Sequence, residues 1–348
     1  INDVTTDHGT TVKRSTTHVA TTDNTGTEAI VSVNEVSADG LQNWSTVFGL
    51  TTHTQTVFDG AGGRAVTVTN PDGSRNVSVF QNGRLISSTS TADGLLLTAL
   101  SFAYDAHGRQ ASVTDARTGT TTFAYNNGDQ LTSTTTPAPG GSGLAQTTSF
   151  LYNNMGQRIK TTLADGGIVN NEYFSTGELK KTSGARTYPV EYTYDTQGRT
   201  KTMTTNRGAI GGAAVPGDVT RWNYSPDRGF LISKIYADGK GPGYTYTSAG
   251  RLMKRTWARG ITTTYSYNTA GDLSGVDYSD TTADVAYSFD RRGRRVTAAG
   301  GTETMAVTYN DAGQPLTETH TGGPLNGVTV TSSYDSLLRR ASLASSAN

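Results

Sequence analysis

The chain alternates large apolar and small polar residues in short runs that stop at regular punctuation. Phe102/Tyr104, Phe123/Tyr125, Phe150/Tyr152 and Tyr192/Tyr194 each place two rings two positions apart. The same step recurs at Trp222/Tyr224, Tyr244/Tyr246, Tyr265/Tyr267 and Tyr287/Phe289. Positions i and i+2 share one face of a strand, so this period predicts half-buried β-strands. The intervening positions are largely Thr, Ser and Ala, as expected of a face that stays wet or meets only small groups. Stacked repeat on repeat, the rings are expected to form an aromatic ladder.

A polar segment with Gly and often Arg follows the second ring. The clearest copies are Tyr104-Asp105-Ala106-His107-Gly108-Arg109 and Tyr194-Asp195-Thr196-Gln197-Gly198-Arg199. Phe289-Asp290-Arg291-Arg292-Gly293-Arg294 and Tyr267-Asn268-Thr269-Ala270-Gly271-Asp272 follow the same plan. Looser copies start at Phe58, Phe80, Tyr125, Tyr152, Tyr173, Tyr224, Tyr246, Tyr309 and Tyr334; the last has Leu where Gly is expected. In Asp-x-x-Gly the carboxylate accepts a backbone N–H two residues on, and Gly takes the positive φ that closes the loop. A second turn signal lies midway between rings, at Asp72-Gly73, Asp93-Gly94, Thr118-Gly119, Asp165-Gly166, Asp238-Gly239, Arg259-Gly260 and Gly300-Gly301. A period near ~22 thus divides into two strands of about seven to nine residues and two tight turns, one hairpin per repeat.

The two longest intervals, Tyr125 to Tyr152 and Tyr194 to Tyr224, contain Pro137–Gly143 and Gly208–Gly217. These read as surface loops near 137–145 and 208–217 on a regular scaffold. Residues 1–55 read as a Thr-rich, degenerate β lead-in with some alternation at Ile30, Val31, Val33 and Val36. Residues 56–348 read as an array of about thirteen hairpins. The expected fold is all-β: tandem hairpins forming a long, curved antiparallel strip or partial spiral shell. A β-propeller, two repeats per blade, is the structural alternative, but the signatures show no blade-type alternation.

Composition agrees. Apolar residues are only 34% and charged residues 17% of the 348, with 41 Gly and 17 Tyr. A formal net charge of zero gives no global pull toward nucleic acid or anionic membrane. No run approaches the ~18 apolar residues of a membrane helix. The absence of Cys removes disulfide and thiol chemistry. Opening at Ile1, without Met or a basic-then-apolar leader, the sequence reads as a processed product or a fragment.

Little in the sequence carries chemistry. His8, His18, His53, His107 and His320 lack the spacing of a metal site, and His107 falls in a variable turn position. Ser and Thr abound, but no nucleophile elbow stands out. Asp105, Asp165, Asp195, Asp238 and Asp290 sit in turns, where making the turn outweighs paired-acid catalysis. No catalytic residue, metal or cofactor is expected. Arg291, Arg292, Arg294 and Arg295 form the strongest charge cluster, a candidate contact for an anion or polysaccharide set against the commoner reading of a solvated turn.

The Tyr-Asp-x-x-Gly-Arg unit at this spacing, over roughly residues 55 to 340, resembles the YD repeats of bacterial RHS proteins, toxin-complex cage components and teneurins. Residues 246–280, with Gly250-Arg251-Leu252, Trp257-Ala258-Arg259-Gly260 and Tyr267, resemble the bacterial RHS proteins most. The resemblance implies a non-catalytic, secreted or cell-surface segment of a larger protein, building part of a shell around a C-terminal toxin or other cargo. The implied partners are the rest of the same polypeptide, the cargo, and cell-surface glycans; nucleic acid and membrane insertion are not implied. At ~4.8 Å per strand, about 26 strands make a strip on the order of 125 Å long, about one turn of a shell. Exposed strip edges would invite self-association. An adhesion or glycan-binding module and a self-assembling fibre are the rival readings. The sealing core that follows the repeats in the bacterial family is not seen before Asn348.

Overall fold

The computed structural model describes residues 1–20, 28–141, 143–185, 187–206, 209–210, 213–214 and 217–346. Thirty strands belong to one antiparallel sheet, in which strands pair with their sequence neighbours; among the described residues no pairing closes the sheet on itself. Ala209–Ile210 and Ala213–Ala214 form a separate two-stranded ribbon. Half of the loop expected at Gly208–Gly217, namely residues 208, 211, 212, 215 and 216, lies outside the described residues. The loop expected near 137–145 carries a short 3-10 turn at Pro139–Gly141. Among the described residues no helix is long and apolar enough to cross a membrane.

The chain divides into two compact units, one of residues 1–151 with 162–166, the other of residues 152–161 with 167–348. The first unit opens with β1 (Asn2–Asp7), β2 (Thr10–Ala20), β3 (Glu28–Ser37), β4 (Gln42–Val47) and β5 (Leu50–Phe58). These five pair in order, β2 against β3 through nine residue pairs from Val12↔Ser37 to Ala20↔Glu28. Shorter strands follow, such as Leu95–Tyr104, Gln110–Asp115, Gly119–Tyr125 and Leu131–Thr136. In the second unit the same meander continues through Thr187–Tyr194, Thr200–Thr205, Asp218–Tyr224 and Leu231–Ile235 to Thr329–Tyr334 and Arg340–Ser345.

A conventional core is nearly absent. Among the described residues only Val12, Trp44 and Val276 are buried apolar side chains. The chain exposes 21448 Å², where a compact monomer of 36.7 kDa is expected to expose about 13,500 Å². The expected alternation holds along Gln146–Tyr152, Ile168–Tyr173 and Asp218–Tyr224: ring positions are half-buried and the positions between them mostly exposed. Cohesion therefore has to come from the backbone ladder and from side chains linking one hairpin to the next.

One regular feature was not anticipated. Where a signature ring meets its partner strand, the pairing skips a residue, as between Ala124 and Tyr125, Thr193 and Tyr194, Thr245 and Tyr246, and Ser266 and Tyr267. Each skip is a β-bulge, which puts two residues of one strand opposite one of the other and bends the strand locally.

Candidate functional site

The repeat turn is built around its acid. Asp105 Oδ1 accepts the backbone N–H groups of His107 (3.0 Å) and Arg109 (2.9 Å). Its Oδ2 takes Arg109 Nε and Nη2, each at 2.7 Å. The backbone closes the loop through Asp105 N–H to Arg109 O and Gly108 N–H to Asp105 O, both 2.9 Å. Asp195–Arg199 and Asp290–Arg294 repeat this geometry to within a few tenths of an ångström. Hydrogen bonding from Arg109 holds the Asp105 carboxyl below its ordinary range, and the Arg294 backbone N–H does the same for Asp290. Asn268 builds the turn without charge, its Oδ1 accepting the Asp272 N–H at 2.9 Å.

Two glycines of this motif do different work. Gly198 has φ +76° and open space where a Cβ would stand, so its role is the left-handed backbone alone. Gly108 has φ +82° and also leaves room for a neighbour: a Cβ there would lie 2.1 Å from Arg84 Nη2. Leu338, at the glycine position of the last unit, accepts φ +60° and keeps the loop bond to Asp335 O at 3.0 Å.

The ring ahead of each turn reaches back to the previous repeat. Tyr104 Oη donates to Leu85 O (2.8 Å), Tyr125 to Gln110 O (3.0 Å), Tyr194 to Leu179 O (2.9 Å) and Tyr224 to Thr200 O (3.0 Å). Tyr246, Tyr267, Tyr309 and Tyr334 do the same to Leu231, Leu252, Arg295 and Pro315. In each case the acceptor is the carbonyl of the residue paired with the preceding signature ring, at the bulge. The bulge interrupts the ladder there, and a hydroxyl from the next hairpin supplies a donor.

The expected ring-on-ring ladder is replaced by a mixed one. Signature rings stand two strands apart, about 9.6 Å, beyond the roughly 4.5–7 Å at which rings touch. The gap is filled by the arginine of the preceding turn. Arg109 lies 4.7 Å from the Tyr125 ring, Arg199 4.4 Å from Tyr224, and Arg294 4.6 Å from Tyr309. Where arginine is missing, a second ring takes its place: Phe230 packs 4.7 Å from Tyr246, and Phe174 meets Tyr194 edge-on at 6.3 Å.

The arginine cluster at 291–295 is divided among these structural tasks. Arg294 is bound to Asp290 and donates to Asn310 O at 3.2 Å. Arg292 Nη1 caps Asp311 O at 2.8 Å, and Arg295 lies 5.6 Å from the Tyr287 ring. Arg291 is exposed.

Two clusters were invisible to sequence spacing. In the first unit Arg14 pairs with Glu35 (Nη2 to Oε1, 2.6 Å) and with Asp7, while His8 Nε2 stands 3.0 Å from Glu35 Oε2. The His8 and His53 rings sandwich Trp44 at 4.1 and 4.8 Å. Asp7, His8 and Glu35 offer ligand atoms within 4.8 Å of one another, the kind of set that holds a metal ion. Arg14 already supplies a positive charge to both acids, so the set fits an ionic lock better than a metal centre. In the second unit His320 is nearly buried, with Nδ1 2.7 Å from Glu303 and Nε2 3.0 Å from Glu318. Hydrogen bonding to Glu303, then to Glu318, raises its pKa. Glu318 lies two residues before His320 on the same strand, but Glu303, Glu35 and Arg14 come from strands other than those of the groups they meet, so no local motif announces either cluster. His107 does sit in its turn, exposed.

A tandem β-hairpin sheet, stitched at most repeats by a tyrosine hydroxyl and closed at most by a turn built on Asp, Asn or Thr, is a repeat architecture. Residues 104–140 match the RHS Repeat family model. No curated protein matches the sequence. Among solved structures it is similar to TcdB2-TccC3, with a TM-score of 0.40 and 13% identity over 99% of this chain and 26% of that one. It is also similar to a chain of the Tc holotoxin pore of Photorhabdus luminescens, with a TM-score of 0.37 and 15% identity over 96% of this chain and 23% of that one. The chain thus spans about a quarter of the length of those chains.

Proposed function

We propose that this chain is a wall segment of a larger secreted or cell-surface RHS protein, whose sheet shelters a cargo polypeptide such as a toxin. The observation that carries the reading is the stitch from each signature tyrosine to the bulged carbonyl before it. It lets a sheet extend hairpin by hairpin without a conventional core, which is what a wall requires and a compact catalytic domain does not. The half-buried ring face and the wet Thr/Ser face give such a wall two chemically distinct sides.

The test uses the full polypeptide that contains this segment. Its cargo region should resist protease in the parent and become cleavable in a Tyr194→Ala/Tyr246→Ala variant. Cargo digested equally fast in both would refute the wall reading.

A further inference from the structure

The first signature turn has the repeat's acid without its arginine. Phe58-Asp59-Gly60-Ala61-Gly62-Gly63 follows the plan of Tyr104-Asp105-Ala106-His107-Gly108-Arg109, with glycine in the last place. The backbone is the same. Asp59 Oδ1 accepts the N–H groups of Ala61 (2.7 Å) and Gly63 (2.8 Å), and Asp59 N–H reaches Gly63 O at 3.1 Å. The Ala61 and Gly63 N–H groups hold the Asp59 carboxyl below its ordinary range, so it is charged at neutral pH. At Asp105, Asp195, Asp290 and Asp335 the other oxygen, Oδ2, takes the arginine four residues on, at 2.7–2.9 Å. Asp59 has Gly63 there. Arg64, one residue further, covers the Phe80 ring at 4.4 Å and, among the described residues, makes no ion pair with Asp59.

The surroundings match what a guanidinium meets elsewhere in the array. Arg109 and Arg294 also donate to oxygens of the following turn and lie against a signature ring. Here the following turn supplies Gln81 and Asn82. A Cβ on Gly63 would collide with Asp59 Oδ2 and lie 2.8 Å from Gln81 Oε1; one on Gly62 would lie 2.7 Å from Asn82 Oδ1. Gln81 Nε2 donates to Ala61 O at 2.9 Å, which leaves Oε1 as the open atom of that amide. Three acceptor oxygens thus border the two glycines, and among the described residues none of them meets a donor. Beside them lies a cleft of about 300 Å³, its walls including Phe58, Gly62, Gly63, Arg64 and Phe80. Phe58 is 59% exposed, whereas Tyr104, Tyr125 and Tyr194 are half-buried.

We propose that this cleft binds an arginine side chain presented by a partner polypeptide. A planar guanidinium can donate to a carboxylate and to a neighbouring amide oxygen at once while its face rests on a ring. An ammonium meets the acid as a point charge and lacks that fork. Calcium takes about six to eight oxygens, so one carboxylate and two amides fall short of a calcium site. With no side chains on Gly62 and Gly63, the incoming group can approach the backbone closely. The charge on Arg64 favours a single arginine over a run of basic residues. The site stands independently of the wall reading.

The test is an NMR titration of the full chain with the blocked peptide Ac-Gly-Ser-Arg-Ser-Gly-amide. The same peptide with lysine, or with citrulline as an uncharged isostere, in place of arginine serves as comparator. Saturable shifts confined to residues 58–64 and 80–84 are expected with arginine, with about tenfold weaker binding for lysine and none for citrulline. Asp59→Asn keeps the Oδ1 acceptor, as Asn126 and Asn268 do in their turns, so it should fold as the parent does and weaken the arginine peptide about tenfold. Asp93→Asn, an equal change of charge on another turn, should bind as the parent does. If Asp59→Asn fails to fold, Phe58→Leu should weaken binding about threefold with an unchanged melting temperature. The proposal is overturned if the arginine peptide does not bind, if the lysine or citrulline peptide binds as tightly, if neither Asp59→Asn nor Phe58→Leu weakens it, or if calcium displaces it.

Discussion

The first five strands and the repeats that follow solve the same problem differently. β1–β5 hold two of the three buried apolar side chains, Val12 and Trp44, around an ionic cluster assembled from Asp7, His8, Arg14 and Glu35. Among their described residues the repeats have no buried apolar side chain but Val276, and in most hairpins they rely on a side-chain-built turn, on Asp or on an uncharged Asn or Thr, and on a tyrosine hydroxyl. The opening strands depend on unique contacts made once. The array depends on a small contact made many times, so each loss should be modest and confined to its neighbours.

That contrast predicts a graded response. Trp44→Ala should cost about 3 kcal/mol, because it empties a buried stack between two histidines. Hydrogen exchange should report its effect throughout β1–β5; loss of protection at Trp44 alone would show that this region has no shared core. Tyr194→Ala should cost about 2 kcal/mol, and Tyr194→Phe about 1 kcal/mol for the bond to Leu179 O. Exchange should rise only in the hairpins on either side, and a change spreading to distant repeats would break the comparison.

Two substitutions should add what the array lacks. Leu338→Gly relieves a left-handed leucine and should stabilise its hairpin by about 1 kcal/mol. Phe289→Tyr supplies the missing hydroxyl opposite Leu273 O and should gain about 0.5–1 kcal/mol. Urea melts monitored at those hairpins check both, and no gain from Phe289→Tyr would mean that Leu273 O is already satisfied.

The smallest effects should be those of pH, with opposite signs in two places. Asp105, Asp290 and Asp335 titrate below their ordinary range, so their contribution is present above about pH 4 and lost as pH falls through their folded values. His320 titrates above its ordinary range, so its contribution is full below about pH 6.5 and lost as pH rises through its folded value. Melting followed across pH should show acid softening in the repeat turns and alkaline softening at His320; His320→Gln should remove only the latter.

The hairpins were legible in the sequence because their signals are local. An Asp and a Gly three residues apart make a turn wherever they stand, and Phe102/Tyr104 alternate whatever lies beyond them. The stitch was half legible. Its tyrosines were plain, but the bulge that exposes Gln110 O or Leu179 O depends on how two strands align, which neither strand states alone. The arginine between rings follows from the spacing of strands, not from any residue. His8, Glu35 and Trp44 were not legible together, since they meet only once three strands are laid side by side. Gly108 and Gly198 look alike in the sequence, yet only one leaves room for a guanidinium.

Because every signature hydroxyl answers to an equivalent carbonyl one hairpin earlier, splicing a whole hairpin in or out leaves the same donor facing the same acceptor. The array can therefore change length by duplication or deletion without any compensating substitution, a freedom denied to β1–β5, where His8 has one Glu35 and Trp44 one pair of imidazoles.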